Sequence, residues 1–444
     1  MNTTATVLLN SIGDQTPPGF GLRPVLRRFG GTEHWNKTPL SGGAIASQSG
    51  AAAHAVQDAG AWFRALALSL AVLAVTIPSL PAADFVDLFN GRDLAGWVNV
   101  NCAPETWSVK DGVIHCTGVP TGALRTPKQY ENFELELEWR HLKPGGNAGI
   151  FIWSSPIAAP GVPFLRAIEV QVLDHGYNAN GKNEWYTTHG DVFPIHGSTM
   201  KPFGRHNGQR SFPSEQRSKP SPEWNQYRIV ATNGVLRLSV NGKEVSGGEN
   251  CNWRKGYIGL ESEGSPVEFR NIRLKEFPST NAGSEASAPP EEGFLPLYNG
   301  LDLRGWKATD EIKSRWQPSD WQLVLKDNAA KPGSILWSEQ AFRDFEFIVD
   351  FKLPEKADTE QVCGGFEVGG YRVILSENQF PGRLKTGKWQ RLRIQAKQSK
   401  RNIQLDGELA AEVDIAGTAG SQPRSIGVLD TGRGIEFANF YLRK

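Results

Sequence analysis

The sequence predicts an all-β protein built as two tandem β-sandwiches of antiparallel strands. Three observations carry this: short segments alternate apolar and polar residues at a period of two, tight-turn dipeptides recur between them, and one series of segments occurs twice. Segments of helical period are scarce, while 48 Gly and 14 Trp suit tightly turned strands with large aromatic fillers. A chain of 444 residues is also too long for one ordinary core.

In chain order the first element is "WFRALALSLAVLAVTIPSLPAAD". Arg64, the apolar run 65–77 and the small residues ending at Ala83 read as a secretory signal that closes a leader over residues 1–83. The run is too short for a spanning helix, so no stable membrane span is expected once the signal is removed. The protein is expected to be secreted or periplasmic, with membrane association through an uncleaved signal as the alternative.

The repeat begins next. "FVDLFNGRDLAGW" from Phe85 returns as "FLPLYNGLDLRGW" from Phe294, "YENFELELEWR" as "FRDFEFIVDFK", "EWNQYRI" as "KWQRLRI", and "YIGLESEGSPVEFRNIRL" as "SIGVLDTGRGIEFANFYL". The domains predicted are 84–277 and 293–444, with residues 278–292, rich in Ser, Ala, Pro and Glu, as the linker.

Within the first copy, "WSVKDGVIHC" and "VLRLSVNGKEV" are hairpins turning on Asp111-Gly112 and Asn241-Gly242, dipeptides that tolerate the positive φ of a type I′ turn. Phe133, Leu135, Leu137 and Trp139 alternate with Glu134, Glu136, Glu138 and Arg140, a strand with one wet face. In "VEFRNIRLK" the apolar parity shifts, which predicts a bulge near Asn271.

The two copies differ in the middle, where the second lacks about 44 residues corresponding to the stretch from Ser155 to Pro222. That insert contains "AIEVQVLDHG", in which Glu169 and Gln171 share a strand face opposite to Ile168, Val170 and Val172. Asp174 falls on the other face unless a bulge at Val172 and Leu173 restores it. The resulting E-x-Q-x-x-D resembles the bulged E-x-D-x-x-E strand of laminarinase-type glycosidases, whose outer carboxylates act as nucleophile and acid. His175, His189, Asp191, His196, His206 and Arg210 follow in irregular sequence, where catalytic groups are commonly mounted. In the second copy Tyr371, Val373 and Ser376 stand at the places of Glu169, Gln171 and Asp174, so the second domain is expected to be non-catalytic. "ESEG" from Glu261 is read as a turn between strands that adds two carboxylates.

Basic and acidic residues number 48 and 47 and are intermixed, so no basic block marks a nucleic-acid or anionic-membrane binder. No dinucleotide fingerprint occurs and no cofactor is predicted. His189, Asp191 and His196 leave a divalent metal open, without paired spacing to support one. Cys102, Cys116, Cys251 and Cys363 show no C-x-x-C spacing, and a disulfide among the first three is left undecided.

"FNGRDLAGW", "DGVIHCTG", "NFELELEWR", "GGNAGIFIWSS", "EVQVLD", "EWNQYRI", "VNGK" and "GYIGLESEGSPVEFRNIRL" together resemble the 3-keto-disaccharide hydrolase family, also described as 3-keto-glucoside lyase and hydratase domains. The resemblance covers 84–277 in full and 293–444 in shortened form, and departs from commoner members at Glu261 to Glu263. It implies a concanavalin-like jelly roll, secretion in bacteria and a small carbohydrate substrate oxidised at C3. The C3 ketone acidifies the C2 proton, so a base can remove it, an acid can assist departure of the C1 oxygen, and water can add to the unsaturated sugar. On this reading Glu169, Asp174 and His175 are the catalytic candidates, and Gln171, Arg125, His189, Asp191, His196 and Glu261 the substrate-binding candidates. The alternatives are a non-catalytic carbohydrate-binding protein and an ordinary glycosidase using Glu169 and Asp174 on unoxidised glucans. Truncation after Phe277 is expected to leave the chemical step largely in place, with losses mainly in stability or polymer affinity, the second domain packing on the first or holding sugar by stacking, with Trp306, Trp316, Trp321, Trp337 and Trp389 kept in its framework.

Overall fold

A computed structural model describes residues 84–178, 184–326, 334–415 and 422–444. The leader and the expected signal lie outside the described residues. The fold is all-β, and every ladder between its strands is antiparallel among the described residues. The longest helix described is the six-residue Asp310–Arg315, and no described helix is long and apolar enough to cross a membrane.

Between Val86 and Glu276 the strands form a nine-stranded and an eight-stranded sheet packed face to face. Alternation explains the packing. Leu135, Leu137 and Trp139 of Phe133–His141 meet Ile168, Val170 and Val172 of Ala167–Leu173, Ile150 and Ile152 of Asn147–Ser154, and Ile258 and Leu260 of Tyr257–Ser262, all fully buried in one core. Asp111 and Gly112 carry the positive φ that the tight hairpin turn demands, 52° and 75°. The bulge expected near Asn271 is present as a register shift between Arg270 and Arg273, with Asn271 at φ 52°.

The bulge expected at Val172 and Leu173 is absent. Ala167–Leu173 pairs with Asn147–Ser154 in unbroken register from Ile168 opposite Ile152 to Leu173 opposite Asn147. Hydrogen bonds on both edges of this inner strand leave no slack for an extra residue, so Asp174 is not carried to the face of Glu169.

From Leu295 to Arg443 the strands form an eight-stranded and a four-stranded sheet around a second core, which includes Phe347, Val349, Phe366, Val373, Leu375, Ile426 and Val428. Because Val373 and Leu375 point into that core, the outward places on Tyr371–Leu375 belong to Arg372 and Ile374. This corrects the sequence-based pairing of Tyr371 and Val373 with Glu169 and Gln171 by one residue. All four Cys are buried and free.

The second pair of sheets packs on the outer face of the eight-stranded sheet of the first. Val100, Ala123, Phe151 and Ala167 from that face, with Leu165, close over Phe294, Ile348 and Tyr441. Part of the insert reinforces the contact. Gly161 N donates to Asp350 Oδ2 (2.8 Å), Ala158 N to Tyr441 Oη (3.1 Å) and Arg391 Nη2 to Ala158 O (3.0 Å).

Candidate active site

The part of this outer face that the apolar interface leaves uncovered is acidic. Alternation on Ala167–Leu173 puts Glu169 and Gln171 there, and alternation on Tyr257–Ser262 puts Tyr257, Gly259 and Glu261 there. Gly149, on the strand between them, pairs with Gln171 and has no side chain to fill the space. A Cβ at Gly149 would stand 2.7 Å from Glu261 Oε2 and 2.9 Å from Glu169 Oε1, so the two carboxyl groups converge over this one residue. Glu261 is therefore a buried strand residue, 1% exposed, and not part of an exposed turn. Its Oε2 has no hydrogen-bond partner.

Glu263 completes a trio. Asn147 Nδ2 donates to Glu263 Oε2 (2.6 Å), and a hydrogen bond joins the Glu261 and Glu263 side chains. Asn147 Oδ1 accepts from Gln171 Nε2 (2.9 Å), while Arg210 Nη2 donates to Gln171 Oε1 (2.5 Å) and Arg210 Nε to Asp191 Oδ2 (2.7 Å). The Arg210 guanidinium lies on the Phe193 ring, 3.6 Å from its centroid. Asp191 is fully buried and also accepts from Thr187 N (2.8 Å). Gln171, Asn147, Arg210 and Asp191 thus form one hydrogen-bonded frame beside the carboxyls.

Burial dominates the electrostatics. It pushes Glu169 up to about 8, the Glu263 charge adding to the rise and Arg210 opposing it. Burial also raises Glu263 to about 7, against hydrogen bonds from Glu261 and Asn147 that favour its charged form. Glu261 is held well above the usual carboxylate range by burial and by both neighbouring carboxylates. Asp191 is raised too, since its burial outweighs the attraction of Arg210. Three such neighbouring groups are a proton-holding unit, able to keep one member ionised and another protonated near neutrality.

Other candidates lie elsewhere. Asp174, just past the strand end, accepts from Gly145 N (2.7 Å) and Gly176 N (2.8 Å) through Oδ2 and from Ser221 N (2.6 Å) through Oδ1. Burial alone would raise its pKa, but these three amides prevail and hold it below the ordinary value. An acid saturated by backbone amides anchors loops and cannot readily pass a proton, so the catalytic assignment of Asp174 is corrected. Arg125 is also misplaced by the sequence reading. The register that sets Ala123 opposite Glu261 sets Arg125 opposite Gly259, two residues down the strand. There, fully buried, it bonds Pro156 O (2.7 Å), Thr126 O (2.9 Å) and Glu291, tying the linker to the first sandwich.

His175 and His189 meet edge to face at 4.9 Å and share Ser218 Oγ at 2.9 and 3.1 Å, with burial pushing His189 down to about 4. His196 stacks on Phe164 at 5.7 Å, and burial lowers it to about 4. His175 opens a short 3-10 turn after the strand, and His189 and His196 lie in the loops, not on the strands that carry Glu169 and Glu261. Tyr177, which the Glu263 charge helps to raise, packs edge to face on Tyr186 at 5.8 Å. No group of three or more His, Cys, Asp or Glu with metal-holding geometry occurs among the described residues.

Sequence reasoning reached Glu169, Gln171, Asp191 and Glu261. It missed Asn147, Gly149 and the central place of Glu263. The alternation Tyr257, Gly259, Glu261 would have identified the shared face of Glu261.

Comparison with known proteins finds relatives of the first sandwich. Residues 84–275 match the family described as the 3-keto-alpha-glucoside-1,2-lyase-like domain. A 3-keto-disaccharide hydrolase of Bacteroides thetaiotaomicron is 25% identical, the match covering 53% of this chain and 95% of that protein. Among solved structures, a candidate glycosyl hydrolase of Parabacteroides distasonis is 21% identical with a TM-score of 0.34, covering 44% of this chain and 94% of that one. A β-glucanase of Bacillus licheniformis is 12% identical with a TM-score of 0.29, over 44% of this chain and 99% of that one. Through residues 84–275, the chain is similar to the family described as the 3-keto-alpha-glucoside-1,2-lyase-like domain.

Proposed function

We propose that the protein is an exported enzyme that cleaves 3-keto-glycosides, and that Glu169, Glu261 and Glu263 are its acid–base groups. The observation that carries this reading is the convergence of Glu169 and Glu261 over Gly149, both raised far above ordinary carboxylates. An ionised member of the trio takes the C2 proton made acidic by the C3 ketone. The electron pair moves to the C3 oxygen as an enolate, for which Arg210 and Asn147 are the nearby donors. The enolate then expels the C1 oxygen, which takes a proton from a neutral carboxyl of the trio, and water adds to the unsaturated sugar. The trio titrates as a unit, so acid and base are roles it shares. Tyr177 and Tyr186 suit the rim of a sugar site. The catalytic sandwich is residues 84–277, and the shortened second copy, 293–444, is non-catalytic.

The closeness of Glu169 and Glu261 also suits a retaining glycosidase, whose carboxyls stand about 5–5.5 Å apart. Incubation with a 3-keto-disaccharide and with its unoxidised parent decides between them. Cleavage of the keto-sugar alone is expected, cleavage of the parent alone would establish the glycosidase, and cleavage of neither would leave a binding protein.

A further inference from the structure

The outer face of the four-stranded sheet holds an aromatic group set apart from the other tryptophans of the second half. Trp306 and Trp316 are core residues, and Trp321 and Trp389 lie against each other at 5.5 Å. Trp337 is half-buried on Ile335–Phe342, facing outward because its neighbour Leu336 points into the core. It pairs with Gly427, and a Cβ there would stand 2.8 Å from Trp337 Cζ3. The glycine lets the indole lie down on the sheet, one face supported and the other toward a cavity of about 290 Å³.

Lys307, Glu367, Gly370, Arg424 and Ser425 complete the lining of that cavity. We propose that it binds a single neutral pyranose unit of a glycoside, with Trp337 as the platform. The volume lies at the small end of ligand pockets and matches a single sugar ring. An indole face beside polar groups suits a ring with an apolar C–H face and a hydroxylated edge. The Lys307 ammonium donates, the Glu367 carboxylate accepts, and the Ser425 hydroxyl does both, which matches vicinal sugar hydroxyls. Glu367, held by Arg372, opposes a sugar carboxylate in the same space. This site requires no cleavage chemistry and stands or falls apart from the catalytic reading.

The test uses the full chain carrying Glu169→Gln, titrated with methyl glucoside and with glucuronate and followed by tryptophan fluorescence and calorimetry. Methyl glucoside is expected to bind, and Trp337→Ala and Lys307→Ala to weaken it at least about tenfold at unchanged melting temperature, with Trp337→Phe keeping part of the affinity. On the Glu169 background, Trp337→Ala is expected to cleave a small 3-keto-disaccharide at the parental rate, so the two sites are read separately. Absence of methyl glucoside binding, affinity unchanged in Trp337→Ala, or tighter binding of glucuronate would each overturn the proposal.

Discussion

Glu169, Glu261 and Glu263 illustrate how burial raises ordinary carboxyls into the range that the proposed acid–base roles need. With Glu263 raised to about 7 and Glu169 to about 8, rate should rise with pH through about 7 as one carboxyl ionises, and fall at or above about 8 as the last proton is lost. A profile of kcat/KM against pH with its acid limb near 4.5, the ordinary glutamate value, would disprove the trio's role. Glu169→Gln and Glu261→Gln should each lower kcat by about 10² to 10⁴ with the fold intact. Their folded pKa values exceed the unfolded ones, so the stability they contribute is complete below about pH 4.5 and is lost as pH rises through 7 and 8. Glu169→Gln should therefore raise the melting temperature at pH 9 by at least about 2 °C relative to the parent, and by less at pH 6. Asp174 has the opposite sign: its folded pKa is depressed, and its contribution disappears as pH falls below 3.8. Asp174→Asn should cost about 1–3 kcal/mol of stability with a smaller loss of kcat than Glu169→Gln, measured by denaturant unfolding and initial rates.

At the scale of the element, the site depends on three adjacent strands in register. Glu169 and Glu261 meet because the strand between them offers Gly149. Gly149→Ala would drive a methyl group into both carboxyl oxygens, while the backbone of Asn147–Ser154 can accept alanine within the strand. The expected result is a loss of about 10² in kcat, the scale of a 1 Å misplacement of catalytic groups, with a circular dichroism spectrum like the parent's. Full activity in Gly149→Ala would mean that the two carboxyls need not converge. The strand alternations were legible along the chain. The bulge wrongly expected beside Leu173 shows the limit of that reading: parity alone cannot tell a strand that bulges from one whose last polar residue has simply left the sheet.

At the scale of the whole molecule, the second sandwich borders the site. Thr121 N and Oγ1 both donate to Asp320, each at 2.7 Å, and the Asp320 charge contributes to the rise of Glu263. Asp320→Asn should shift the acid limb of the rate profile to lower pH, because removing a neighbouring negative charge makes Glu263 easier to ionise. Truncation after Phe277 is expected to leave the chemical step largely in place, with the losses falling mainly on stability. Truncation would bare Val100, Ala123, Phe151 and Ala167 and remove Asp320 from beside Glu263. The fragment 84–277 is expected to aggregate or melt earlier than the full chain in light scattering and thermal unfolding; a soluble fragment that melts with the full chain would refute this.

The sequence by itself determined the all-β class, the hairpins at Asp111 and Asn241, the bulge at Asn271 and the polar strand face of Glu169 and Gln171. Each is encoded in consecutive residues, as a period of two or a turn dipeptide whose φ angles only certain residues tolerate. Tertiary structure alone decided which carboxyls stand together, since strand order brings Gly149 between Glu169 and Glu261 across more than ninety residues of chain. It also decided that Asp174 and Arg125 are structural, because only the folded backbone shows the amides, carbonyls and linker carboxylate that satisfy them. The raised pKa values follow from the same cause: desolvation is a property of the packed sheet and its covering loops, and no residue carries it along the chain.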